Sequence, residues 1–438
     1  MLTTAAHRKT DATTLLGCLV ATVARTPQRE SLALCTRVAR FYQVVHTMRV
    51  LITDGNERAS LAAARSLVAA GYEVHVAADR RLSLAGVSRR VGRCILRADA
   101  LADPAGYAAA VGSLAAGLGA GVLLPVTDAS VEALLEHRAA LPETLALPLP
   151  SLSAFRAASD KHATLGCARE AGFGVPETVT LRTPADRNHV PGADFFPAVI
   201  KPHRSVVSSG IAVPAKRKLG VAFVNDVASC RAALAALPDG AFPVLLQRRV
   251  RGTGEGLFVL RWNGRIIAEF GHRRLREKPP EGGVSVYRES IAVEPALAAA
   301  GRRLLAQLDW QGVAMIECKR DPDTGRHIFM EVNGRLWGSL QLAIDAGVDF
   351  PALLVACALG RDVPTVGGYR VGVRSRWFWG DVDHLYLRLR DGDGARGRLA
   401  AVRAFLRWRP GRDREEIWRW RDPAPFIVES LRRLGLEL

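Results

Sequence analysis

The feature that most constrains this chain is a pair of acidic strand ends joined by a short loop. The run Val313–Lys319 contains VAMIE, ending on Glu317, and the run His327–Val332 leads through IFMEVN to Glu331 and Asn333. RDPDTGR lies between them, compact and rich in turn formers, so the spacing predicts an antiparallel hairpin. Its two strand ends are then adjacent, and Glu317 and Glu331 can face one site. Two carboxylates and an amide oxygen suit Mg²⁺, a hard cation that takes oxygen ligands and is often completed by substrate phosphates. Arg335, two residues on, can hold a phosphoryl or carboxylate group. The blander reading is a solvated hairpin with two acids. Met315, Ile316, Phe329 and Met330 alongside argue against a wholly solvated face.

Three further features precede the hairpin in order. Lys161 opens a helix after Asp160. PAVIKP, 197–202, reads as a strand that ends in Lys201 and is stopped by Pro202. The loop after it supplies Ser205, Ser208, Ser209 and Gly210, small residues whose backbone N–H groups can approach phosphate oxygens. The strand Val244–Gln247 then leads into RRVRGTGEG. There Gln247, Arg248, Arg249 and Val250 can meet an adenine edge, and Glu255 follows within reach of a ribose. Each feature alone reads equally as a strand end or a Gly-rich turn. Lysine usage sharpens the first two. Only seven of the 60 basic residues are Lys (9, 161, 201, 216, 218, 278 and 319), so a Lys at a motif position is less expected by chance. Lys also places a compact charge where Arg places a fork.

Around these features the chain divides into four segments. Residues 1–47 are rich in Ala, Thr and Arg and show no clear period. They read as a leader, disordered or from a start assigned too early, and a chain starting at Met48 is expected to fold without them. Residues 48–150 alternate strand and helix: Val50–Thr53, Leu61–Ala70, Glu73–Ala77, then VLLPVTD at 122–128 and the helix Ser130–His137. This is a small doubly wound α/β unit. Residues 151–360 mix helices with antiparallel strands, including a hairpin turned at Asn263-Gly264, and make an α+β core. Residues 361–438 form an Arg/Trp-rich extension.

Together these features resemble the ATP-grasp superfamily, in its order and spacing over about residues 48–360, and most nearly its carbamoyl-phosphate-synthase-like carboxylate–amine ligases. The resemblance implies a fold of α/β plus α+β class: a pre-ATP-grasp domain, a two-lobed ATP-grasp domain and a C-terminal extension. It implies ATP and Mg²⁺, or Mn²⁺ in its place, as cofactors. Lys161, Lys201 and the Ser208–Gly210 loop would contact phosphates, Gln247 to Val250 would form the adenine hinge, Glu255 would hold the ribose, and Glu317, Glu331 and Asn333 would hold the metal. The implied reaction activates a carboxylate as an acyl phosphate, which an amine or similar nucleophile then attacks, and Arg335 would serve it. The sequence departs from the family in carrying Gln247 where an acid is common, a basic Arg248-Arg249 pair, and NGR in place of NPR. Alternatives are a non-catalytic ATP-binding regulatory module and a basic protein that binds an anionic polymer or membrane surface.

The acceptor side is read from residues 272–290. These look like a basic loop offering Arg273, Arg274, Arg276, Lys278 and Arg288 against Glu277 and Glu281, so Arg288 is the candidate clamp for an anionic carboxylate or amine substrate. Trp337 either lines that pocket or is plain core. The formal charge of +17 raises nucleic acid, but the charge is spread. Residues 1–47 hold six basic and two acidic side chains and residues 361–438 hold 17 and 11, with no dense block, so specific nucleic-acid binding is not expected. Five of the eight Trp residues fall in the extension, at 377, 379, 408, 418 and 420. They read as a helical cap packed on the body, with a membrane-surface or partner-binding face as the alternative. No run of about 20 apolar residues suggests a transmembrane helix. Seven scattered Cys without a CxxC pair fit reduced thiols, hence a cytoplasmic setting. A homodimer stays open.

Overall fold

The first sheet is built from short, mostly apolar strands. The computed structural model describes residues 48–204, 206–208, 216–391, 394–409 and 412–436, so the expectations for residues 1–47, Ser205, Ser209 and Gly210 lie outside the described residues. Strands β1 (Arg49–Ile52), β2 (Glu73–Ala78), β3 (Val91–Ile95) and β4 (Val122–Leu124) pair in parallel in the order β3-β2-β1-β4. Helices α1 (Arg58–Ala69), α2 (Pro104–Leu118) and α3 (Asp128–Glu136) bury both faces of these strands, as parallel sheets require. Asp54 sits at φ 56° just past β1. Its carboxylate accepts from Val126 N (2.9 Å), Thr127 N (3.2 Å) and Ser130 Oγ (2.6 Å), which ties together the carboxyl ends of β1 and β4.

Two capped helices follow. In α4 (Leu152–Ser159) the Ser151 hydroxyl accepts from Ala154 N. In α5 (Lys161–Ala171) Asp160 accepts from His162 N and Ala163 N, and Gly172 at φ 102° closes the helix. A small lobe comes next: β5 (Thr178–Leu181), β6 (Ala198–Pro202), β9 (Ala222–Val224) and β10 (Val244–Arg248), antiparallel in the order β5-β10-β6-β9. Helix α6 (Val227–Ala235) covers its apolar face, where Ile200, Val224, Leu234 and Leu246 cluster. β7 (Val206–Ser208) and β8 (Lys216–Lys218) make a separate antiparallel pair, which places Ser208 at a strand end.

The largest sheet carries seven strands in the order β15-β14-β11-β12-β13-β16-β17. These are β11 (Thr253–Trp262), β12 (Arg265–Lys278), β13 (Val284–Ile291), β14 (Gly312–Arg320), β15 (His327–Asn333), β16 (Arg374–Arg376) and β17 (Asp413–Glu415). Neighbours are antiparallel except β16 and β17. Asn263 (φ 48°) and Gly264 (φ 77°) make the tight turn between β11 and β12. Helix α7 (Pro295–Gln307) packs with one set of sheet residues, among them Leu257 and Ile316. Helices α8 (Leu340–Ala346) and α9 (Phe350–Ala358) join α1 and the other set, Phe258 and Met315.

The segment 272–290 is not a loop. β12 runs on to Lys278 and β13 returns from Val284, with only 279–283 between them. So many charges sit in a hairpin because acids from elsewhere in the fold, not water, face them. The sheet also draws strands from both sides of residue 360, through β16 and β17. Helices α10 (Phe378–Asp391), α11 (Gly394–Leu406) and α12 (Ala424–Arg433) complete the extension. Its Trp residues divide. Trp377 Nε1 donates to Glu429 (2.8 Å) and Trp379 Nε1 to Ser430 Oγ (2.9 Å), while Trp418 packs on Phe426. Trp408 and Trp420 remain exposed. Among the described residues no single helix is long and apolar enough to cross a membrane. The bent pair α8–α9, broken by 93°, is mostly core.

Candidate functional site

A cleft of about 440 Å³ opens between the small lobe and the large sheet. The period of two along each strand decides what enters it. Glu317 pairs directly with Glu331 across β14 and β15, past a register shift between Glu317 and Cys318 that skips Met330. Asn333, one pleat further on the same side, brings Nδ2 to 3.2 Å from Glu317 and 3.4 Å from Glu331. Arg274 reaches Glu317 at 2.6 Å and Lys161 reaches Glu331 at 3.6 Å. Burial pushes the Glu317 carboxyl up, Arg274 opposes this, and the Glu331 charge adds to it. Burial acts upward on Glu331 too, but Lys161 and Lys201 outweigh it and its pKa falls. Two like charges side by side thus stay apart in proton affinity.

This donor set fits a hard cation. Its oxygens come from two carboxylates and one amide on two adjacent strands, and flanking cations already balance the charge. No group of three or more His, Cys, Asp or Glu placed to hold a metal occurs among the described residues. A cation here would therefore share its shell with substrate oxygens or water, as Mg²⁺ commonly does.

Lys201 projects from β6 into the cleft from the opposite lobe. Burial lowers its pKa and Glu331 pulls the other way. Lys161 starts α5, where its N–H donates to His203 O at 2.9 Å. It lines a small adjoining pocket with Glu331, Asn333 and Asp128. Gln247, Arg248, Arg249 and Val250 all line the cleft. Gln247 Nε2 donates to Thr178 Oγ1 (3.2 Å), Arg249 donates to Glu281 O (3.0 Å), and Val250 O accepts from Lys319 (3.1 Å). Arg335 lines the cleft as well, and its Nε donates to Asp128 at 3.0 Å.

Two expected site residues do not reach the cleft. Glu255 is buried and bonds His327 Nε2 at 2.9 Å. On β11 the neighbours Gly254 and Gly256 turn to the cleft side, toward Arg274 and His272, so alternation sends Glu255 to the other face. Arg288 is fully buried. Its Nη1 donates to Ser285 O (2.8 Å), and its Nη2 pairs with Glu416 beside β17. It braces the extension and is not among the cleft-lining residues.

The cationic clamp expected of 272–288 is correspondingly neutralised. Arg273 pairs with Glu289, Arg276 with Asp381, Lys278 with Asp383, and Arg274 with Glu277 and Glu317. Of the basic set expected at the acceptor side, Arg274 does line the cleft, while sequence reasoning missed Lys319, although it stands two residues after Glu317, on the same face. It also missed Arg58, which enters the cleft from α1, and His272. Trp337 proves to be both core and lining, with 1% of its surface exposed. At this end of the cleft four side chains hold buried polar atoms without a hydrogen-bond partner: both ring nitrogens of His272, Arg274 Nε, Ser285 Oγ and Trp337 Nε1. Burial drives the His272 pKa well below its usual value, aided by Arg274 and Arg288, so its ring is neutral.

A sequence profile described as "ATP-grasp in the biosynthetic pathway with Ter operon" matches residues 243–379. A search of curated proteins by sequence gave no significant match. Several solved structures share the architecture. An L-amino acid ligase from Bacillus licheniformis superposes with a TM-score of 0.56 at 16% identity, over 75% of this chain and 78% of that one. An N5-carboxyaminoimidazole synthetase from Staphylococcus aureus gives 0.55 at 13%, over 75% and 80%. A biotin carboxylase from Campylobacter jejuni, in complex with βγ-ATP, gives 0.54 at 15%, over 76% and 75%.

Proposed function

We propose, from the ATP-grasp profile match over residues 243–379 and the architecture shared with the solved ligases, that this chain is an ATP-dependent ligase of the ATP-grasp type that activates a carboxylate as an acyl phosphate and passes the acyl group to an amine or similar nucleophile. One observation carries the reading. Glu317, Glu331 and Asn333 converge on one sheet and face Lys201 from the other lobe across a cleft of about 440 Å³.

In this reading ATP lies between the lobes. The hinge Gln247 to Val250 meets the adenine, and Lys201 and Lys161 meet the phosphates. Glu317, Glu331 and Asn333 hold Mg²⁺, which when bound neutralises phosphate charge and orients the transferring group. The substrate carboxylate attacks the γ-phosphorus in line and ADP leaves. The amine then adds to the acyl carbon and expels phosphate. Such a transfer needs positioning and charge balance rather than a protein nucleophile. Arg335, held by Asp128, is placed to steady the acyl phosphate.

The substrate's distal group follows from the acceptor end. An anionic group was expected from the cations of 272–288, yet each of these already faces an acid. Apart from Nε of Arg274, whose other nitrogens meet Glu277 and Glu317, the unpartnered atoms there are neutral: His272, Ser285 and Trp337 offer both donors and an acceptor. A hydroxyl or amide on the substrate suits them better than a second carboxylate.

The test is Mg²⁺-dependent ADP release across a panel of carboxylates with amines, bearing neutral, acidic or basic side groups. Glu331→Ala should fold and lose turnover on the order of 10²–10³-fold. A folded Glu331→Ala variant with wild-type turnover would remove the metal assignment, and with it the ligase reading.

A further inference from the structure

One helical hairpin carries a run of positive charge that ion pairing leaves largely unmatched. Between Tyr386 and Arg409 the chain carries seven arginines and two aspartates. The arginines of residues 272–288 are matched with acids, as described above. On α11 and just beyond it, Arg396, Arg398, Arg403 and Arg407 make no ion pair among the described residues, and on α10 Arg390 pairs only with its neighbour Asp391.

α11 also buries none of its residues. Its inner side, with Ala401 and Phe405, turns to α10 and the sheet, and Arg276 Nη1 donates to Ala404 O at 3.0 Å. Its outer side follows a spacing of three, four and three: Arg396, Leu399, Arg403, Leu406. These four share one helix face and all are exposed, Leu399 at 51% and Leu406 at 71%. Trp408, just past the helix, is 46% exposed. Tyr386, at a similar height on α10, is 62% exposed. A merely solvated face has no use for leucines alternating with arginines. A face that reads nucleic-acid phosphates needs the arginines and not the leucines. Cations that find headgroup phosphates, with apolar and aromatic side chains that enter the acyl boundary, are what an anionic bilayer surface takes.

We propose that the α10–α11 hairpin docks this chain on an anionic lipid surface, with Leu399, Leu406 and Trp408 entering the interface and Arg396 and Arg403 on the headgroups. The proposal stands on the extension alone and does not depend on the reaction at the cleft.

The experiment is co-sedimentation of the full chain with vesicles at about 0.1 M salt, where surface charges within a Debye length still act. Wild type should sediment with phosphatidylglycerol–phosphatidylcholine vesicles and stay in solution with phosphatidylcholine alone. Leu399→Asp combined with Leu406→Asp should weaken binding by at least about tenfold, and Arg396→Glu combined with Arg403→Glu should abolish it. Both variants should unfold at the wild-type temperature, because α11 buries nothing. The proposal is overturned if wild type ignores the anionic vesicles, or if the leucine variant binds them as wild type does. It is also overturned if single-stranded RNA or duplex DNA binds more tightly than the vesicles through the same arginines.

Discussion

Glu416 joins two guanidiniums that lie out of reach of water, and removing its charge should expose how the extension is held. Its Oε2 accepts from Arg58 Nη1 at 2.7 Å and pairs with Arg288 Nη2. Side-chain exposure is 0% for Arg288, 2% for Glu416 and 12% for Arg58, so solvent screens almost none of the attraction. Burial lowers the Arg288 pKa, the Arg58 charge adds to this, and Glu416 is the largest influence holding it up. Glu416→Gln keeps the shape and leaves two buried cations with no anion. Breaking a buried pair on one side costs about 3–5 kcal/mol. Arg58 can relax toward the cleft, which favours the lower end, about 3 kcal/mol, or over a hundredfold in the folding equilibrium. Urea unfolding at pH 7, followed by far-UV circular dichroism, measures it. The exposed pair Arg49–Glu73 serves as the control, where Glu73→Gln should cost less than about 1 kcal/mol. A loss under about 1 kcal/mol for Glu416→Gln as well would refute the reasoning, because the cluster would then not be desolvated.

Glu429 has its pKa raised to about 7, chiefly by burial, with the Trp377 hydrogen bond opposing. A raised carboxyl binds more protons folded than unfolded, so this group's contribution to stability is full below about pH 4.5 and is lost as pH rises toward 7. Glu429→Gln should therefore gain up to roughly 3 kcal/mol over wild type at pH 8 and little at pH 4, as thermal unfolding at the two pH values would show. An equal shift at both would contradict the buried carboxyl. Glu255→Gln should cost about 1–3 kcal/mol of stability through its buried bond to His327. The KM for ATP should change little, and a rise above about tenfold at unchanged stability would put Glu255 back on the nucleotide.

The metal hairpin was legible because it is local. Six residues, 321–326, join β14 to β15, so the pattern brought the two acidic strand ends side by side without knowledge of the rest, while the bulge that sets Glu331 rather than Met330 opposite Glu317 came only with the structure. Lys201 was legible for a similar reason, as a rare lysine that ends an apolar strand before a proline. The segment 272–290 misled because a strand dense in charge is stable only when distant acids meet it. Asp381, Asp383 and Glu416 lie about a hundred residues or more downstream, and no local pattern announces them. Glu255 misled because alternation tells which residues share a face but not which face meets the other lobe. That choice rests on Gly254 and Gly256, whose missing side chains leave room beneath Arg274 and His272. The amino-acid sequence alone thus determined the strands of the parallel unit and of the acidic hairpin and the ligand types, because these depend on period and short loops. Only the tertiary structure decided which charges stay free, since ion pairing depends on the packing of segments far apart in the chain. It spent the cations of β12 and β13 on acids and left those of α11 facing outward.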